Sequence, residues 1–148
     1  MTINECNIVL HDKDVNGLIQ KFVPPTKKMS SLRAEINDGH VLITGRVTIG
    51  LSFNFQATLV LSHRGDEVIA RLEKLSPMSG IMAQFKDKIL YKIAEKADFI
   101  RHNAANDALE IRLNSVLGQA VETSNLNITK LSVAKDDLTI AVQGELSL

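Results

Sequence analysis

The chain has 148 residues, seventeen basic and seventeen acidic side chains, no net charge at neutral pH, 45% hydrophobic residues and 4% aromatic ones. That length supports one domain, residues 1–148, with a core of its own. Zero net charge, a lone Tyr91 and no Trp argue against nucleic acid as a partner, which needs a basic face and stacking rings.

Cys6 is the single cysteine, so an internal disulfide and a thiolate metal cluster are excluded, and it reads as a small buried hydrophobe of the first strand. No basic leader opens the chain and no apolar run approaches the ~18 residues of a bilayer span. A soluble, cytoplasmic protein is expected, or an exported one if a leader has been removed.

Cys6 to Leu10 forms a short strand, after which Asp12 or Asp14 caps a helix. Val15, Leu18, Ile19, Phe22 and Val23 recur at helical spacing, giving this helix one buried face, and Pro24-Pro25 ends it. From Leu32 the period becomes two, with Leu32, Ala34 and Ile36 on even positions. Asp38-Gly39 then predicts a two-residue turn that pairs Ile36 with Val41 and Ala34 with Ile43.

From Val41 to Leu61 every odd position is apolar except Gly45. A two-residue turn within this stretch would move the apolar set to even positions, and no such change occurs. It therefore reads as one strand of ~70 Å, bent at Gly45 and Gly50 to fit a chain with a radius of gyration near ~15 Å. A turn at Arg64-Gly65 pairs Leu61 with Val68, Leu59 with Ala70 and Ala57 with Leu72. The long strand thus has a hairpin partner at each end, on opposite edges of a coiled meander.

Ser76-Pro77 opens a second helix of about 20 residues, ~30 Å long. Its apolar half carries Met78, Ile81, Met82, Phe85, Ile89, Leu90, Ile93 and Ala97. Leu109, Ile111 and Leu113 alternate as a strand, Ser115 to Asn125 is either helix or loop, and a closing hairpin pairs Val133 with Leu138. These elements give an α+β fold in which a long, strongly coiled antiparallel sheet wraps a long amphipathic helix, with a second, shorter helix near the N-terminus.

Catalytic and metal-binding patterns are missing from the sequence. His11, His40, His63 and His102 stand in separate segments without partners at ligand spacing, and read as solvated loop side chains. Nothing has the spacing of a nucleophile elbow, a phosphate loop or a dinucleotide fingerprint, so neither an enzyme nor a cofactor is expected. Asp136-Asp137 and Arg64-Gly65-Asp66 read as turns. Lys86, Lys88, Lys92 and Lys96, with Lys27-Lys28, form either a solvated face interleaved with Asp87 and Glu95 or a transient contact for anionic head groups at a membrane surface. Met78 and Met82 with Phe53, Phe55 and Phe85 suit the lining of an irregular cavity or an ordinary core.

In the order of its elements, and in Asp38-Gly39-His40-Val41-Leu42-Ile43-Thr44-Gly45 and the closing Ile128 to Leu146, the chain resembles a small single module of the tubular lipid-binding (TULIP) superfamily. The resemblance covers roughly residues 8 to 148. It implies a curved sheet rolled around a long helix, with an elongated greasy groove for acyl chains. The candidate lining is then Phe53, Phe55, Met78, Met82, Phe85, Ile89 and Ile93.

The expected function is non-enzymatic binding of a lipid or other hydrophobic small molecule in that groove. The alternative is an interaction module, a homodimer or partner-binding protein, whose core is filled and holds no ligand.

Overall fold

The computed structural model describes residues 1–76 and 80–147, with the backbone alone at Ile49 and across residues 80–85. In chain order it runs β1 (Thr2–Leu10), α1 (Asp12–Phe22), β2 (Met29–Asn37), β3 (His40–Ile49), β4 (Leu51–Arg64), β5 (Glu67–Ser76) and α2 (Gly80–Glu95). There follow β6 (Ile100–Asn103), a 3-10 turn, β7 (Ala108–Arg112), α3 (Leu113–Leu117), β8 (Thr123–Ala134) and β9 (Asp137–Ser147). The strands form an antiparallel three-stranded sheet, β1-β9-β8, and an antiparallel six-stranded sheet, β2-β3-β4-β5-β7-β6.

With 60% strand and 21% helix, the protein is mostly β, and the expected α+β fold with a coiled sheet around a long helix is not the one found. The reason lies at Gly50. Residues 41–61 do not form one bent strand but fold back there, Ile49 pairing with Leu51, Val47 with Phe53 and Gly45 with Phe55. Gly50 takes φ +75°, a left-handed conformation that glycine adopts without a steric penalty. Paired residue numbers at this turn sum to an even value, so the apolar set stays odd on both strands. The alternation therefore passes through a complete reversal of the chain without a mark.

Gly45 is not a bend either. It pairs in unbroken register opposite Phe55.

The other turns follow their local chemistry more closely. Ile36 pairs with Val41 and Ala34 with Ile43, as the Asp38-Gly39 turn requires. Val133 pairs with Leu138. At the β4-β5 turn the central pair is Gly65-Asp66, one position later than expected, so Leu61 meets Ala70 and Leu59 meets Leu72. A bulge after Thr58 then sets Ala57 opposite Leu75. Ser76 is the last residue of β5, paired with Gln56, and is no helix cap.

The two sheets bury each other's apolar faces. Ala34, Ile36 and Val41 of β2 and β3 pack with Leu126, Ile128, Leu138, Ile140 and Val142 of β8 and β9. Val15 and Ile19 of α1 close the side of this core. The sixteen-residue α2 lies on the six-stranded sheet, with Leu90 against Ala70 and Leu109 and Ile89 among Phe55, Ala57 and Leu75. Because sheet packs on sheet, the apolar faces have no need of a central rod.

Cys6 is exposed, not buried. The strand that holds it begins four residues earlier than the sequence suggests and is an edge strand, with β9 on one side only. Among the described residues no helix is long and apolar enough to cross a membrane.

Candidate functional site

The site is built by two segments far apart in the chain. Proline has no N–H to continue a helix, so α1 stops before Pro24-Pro25, with the Val23 N–H donating to Ile19 O at 2.7 Å. Thr26 then makes a tight turn. Its Oγ1 accepts from the N–H groups of Lys28 at 3.3 Å and Met29 at 3.1 Å, and its own N–H donates to Met29 O at 2.7 Å. The Thr48 N–H donates to Lys28 O at 2.9 Å and ties the turn to β3. Met29 is thereby drawn into the core while Lys27 and Lys28 stand exposed.

The last turn of α2 faces them. Its helical spacing turns Ile93 towards the core and leaves Lys92, Glu95 and Lys96 outside. Between the two segments lies a cleft of ≈ 320 Å³. Val23, Pro24, Met29 and Ile93 supply its apolar walls, and Lys27, Lys28, Lys92, Lys96, Glu95 and Thr26 its rim.

Four ammonium groups thus meet one carboxylate at the rim. Tyr91 stands beside that carboxylate, whose influence pushes the phenol above its usual pKa. Among the described residues none of the four lysines has an ion-pair partner. Ligand pockets run from about 300 to 1,000 Å³, so this one has room for a short apolar chain with its charged end among the lysines. The lining holds no histidine, cysteine or free carboxylate pair, and Thr26 Oγ1 is engaged in its own turn. The cleft is an apolar slot under a cationic rim, with Glu95 the one carboxylate among its lining residues.

The sequence-derived lining residues divide into three groups. Phe55 and Ile89 are buried, and Phe53 and Ile93 partly buried, in one cluster with Met29, Val47, Ala57 and Leu75. Ile93 and Met29 carry that cluster to the cleft. Met78 lies outside the described residues, and Met82 and Phe85 belong to the part of α2 described by its backbone alone. Val23, Pro24 and Met29 were not anticipated. The lysines were noted in the sequence, but nothing there brings residues 27–28 beside residues 92–96.

Other polar groups are engaged in holding the fold. A wider groove of ≈ 880 Å³ runs along α1 past His11, Asp12, Asn16, Arg33 and Asp136, yet much of its polar lining is bonded across it. His11 Nδ1 stands 2.9 Å from both Asp136 O and Asp137 Oδ1, which raises its pKa. Asp12 Oδ1 accepts from the Ile36 N–H at 2.8 Å. His11 is the N-cap residue of α1, its side chain still 45% exposed to solvent but held by these contacts. His102 stands in β6, with Nε2 buried and unpaired among the described residues.

Lys86 is taken by Asp107 at 3.0 Å and does not join the rim. In Arg64-Gly65-Asp66 the backbone anchors other elements, Gly65 O accepting from Ile128 N and Asp66 O from Leu113 N. Among the described residues no group of histidine, cysteine and acidic side chains is arranged to hold a metal ion. Comparison with protein-family models, curated proteins and solved structures finds no match.

Proposed function

We propose that the protein binds a small anionic amphiphile, such as a fatty acid or lipid fragment, in the cleft between residues 23–29 and the end of α2, without catalysing a reaction on it. The observation that carries this is the convergence of Lys27, Lys28, Lys92 and Lys96 around apolar walls made by Met29 and Ile93. An apolar tail gains by leaving water and a head group gains by meeting the ammonium ions. The occupant is shorter than an elongated tubular groove would take.

Titration with cis-parinaric acid, followed by fluorescence, tests it. Saturable binding is expected, weakened about tenfold or more by Ile93→Glu, which places a carboxylate against the head group and charge in an apolar wall. Uptake by that variant equal to the parent's, in a chain shown by circular dichroism to be folded, would remove the cleft as the site.

A second reading has its own support. β1 is an edge strand whose one charged side chain is Glu5 and whose Val9 is exposed, and such edges pair with other chains unless charge or proline guards them. On this reading two copies pair through β1. Gel filtration with light scattering distinguishes it, since Val9→Lys should convert a dimer to a monomer.

A further inference from the structure

We infer that the lysine-bearing end of the molecule docks on an anionic lipid bilayer. Lys88, Lys92 and Lys96 follow one another at four-residue steps along α2 and its end, and so form one stripe. Tyr91 stands on the same side, 57% exposed, an amphipathic ring of the kind that sits at head-group level. Lys27 and Lys28, held outward by the Thr26 turn, extend the stripe across the mouth of the cleft. Lys21, in the last turn of α1, holds its ammonium 5.4 Å from the centre of the Phe22 ring.

Asp87 and Glu95 line this surface among the lysines, and Asp98 lies exposed two residues beyond Lys96. A neutral protein thus carries a concentrated positive end, complementary to a negative surface.

The chemistry selects a bilayer over an acidic protein. All of these cations are lysines, point charges on flexible stems that serve a diffuse negative surface. A structured carboxylate partner is better met by the planar fork of arginine. The docking surface includes the rim of the cleft proposed above as a binding site, so docking would present that cleft to the lipid from which an occupant is drawn.

Co-sedimentation of the full chain with vesicles tests this. Binding is expected to phosphatidylcholine vesicles containing about 30% phosphatidylglycerol and not to pure phosphatidylcholine, because the attraction is to head-group charge. It should be released at about 1 M salt, where the screening length falls to ~3 Å. The double variant Lys92→Glu, Lys96→Glu should lower binding about tenfold or more, with Lys27→Gln, Lys28→Gln as a milder variant in case the first misfolds. Lys13→Glu, in the groove beside α1, should bind as the parent does.

Equal binding to neutral vesicles, indifference to both lysine pairs, or equal competition by soluble polyglutamate would each overturn the proposal. The cis-parinaric acid titration without vesicles is read separately. Uptake without vesicle binding leaves the cleft standing and overturns docking, and vesicle binding without uptake does the reverse.

Discussion

The ring of Phe55 lies over Gly45, its cross-strand partner, so closely that a Cβ at position 45 would stand 2.8 Å from ring atoms Cε1 and Cζ, and 2.9 Å from Leu32 Cδ2. Glycine is required there by its neighbour and not by backbone conformation. The space above the β3 backbone is occupied by a ring that the opposite strand supplies.

Gly45→Ala should therefore destabilise by about 1–3 kcal/mol, the usual cost of overpacking. Phe55 is 5% exposed and packs in one cluster with Met29, Val47, Ala57 and Leu75, so moving the ring disturbs that packing. Urea denaturation measures the loss. The added Phe55→Leu should recover part of it, so the double variant should lose less than the sum of the singles. Strict additivity would show that the ring is not what excludes the methyl group.

Two asparagine amides act as strand substitutes at sheet edges. Asn114 Nδ2 donates to Leu126 O at 2.9 Å while its Oδ1 accepts from the Leu126 N–H at 2.8 Å and the Ser124 hydroxyl at 2.6 Å. Asn16 does the same for Ala34, accepting at 2.7 Å and donating at 2.9 Å. Leu126 and Ala34 are 2% and 1% exposed, so water cannot replace the lost partner. Asn114→Ala should cost about 2–4 kcal/mol, two buried backbone groups left unpaired. Hydrogen exchange gives the specific signature, faster exchange at the Leu126 amide. An amide as protected as in the parent would refute the assignment.

Glu110 is the buried charge of the six-stranded sheet, 3% exposed. Burial pulls its pKa up, but hydrogen bonds from Arg101 and Asn103 and the charges of Arg101 and Arg64 outweigh that and hold it below the ordinary 4.5. The folded state therefore binds this proton less readily than the unfolded one. Its contribution to stability is present above pH ~4.5 and is lost as pH falls through the depressed folded value. Arg101 is itself largely exposed, so the two partners are not equivalent. Arg101→Met, which strands a buried carboxylate, should destabilise more than Glu110→Gln and move the acid-unfolding midpoint to higher pH, whereas Glu110→Gln leaves a cation that water can reach and should cost about 1 kcal/mol. His11 works in the opposite sense. Its pKa is raised by Asp136 and Asp137, so what it contributes is present below pH ~6.5 and fades as pH rises through the folded value. Circular dichroism across pH checks both signs.

What was legible in the sequence was local. The Asp38-Gly39 turn and its register, the closing hairpin through Val133 and Leu138, and the end of α1 before Pro24-Pro25 rest on side-chain period and on residues that allow or forbid a backbone conformation. The site was legible in fragments. Ile93 was placed on an apolar helix face and the lysines were noted, but their meeting at one cleft depends on where α2 settles against β2 and the Thr26 turn.

Alternation by itself determined that residues 41–61 present one apolar face, because successive side chains of a strand point to opposite sides. Whether that face belonged to one strand or two was decided by the number of residues in the turn at Gly50, since an odd-numbered reversal leaves parity unchanged. Pairings between distant segments, β1 with β9 and β5 with β7, and the packing of one sheet on the other were decided only in three dimensions. The physical reason is that a strand's hydrogen-bonding groups are the same whatever its sequence, so side-chain pattern names the face to be buried while tertiary packing chooses what buries it.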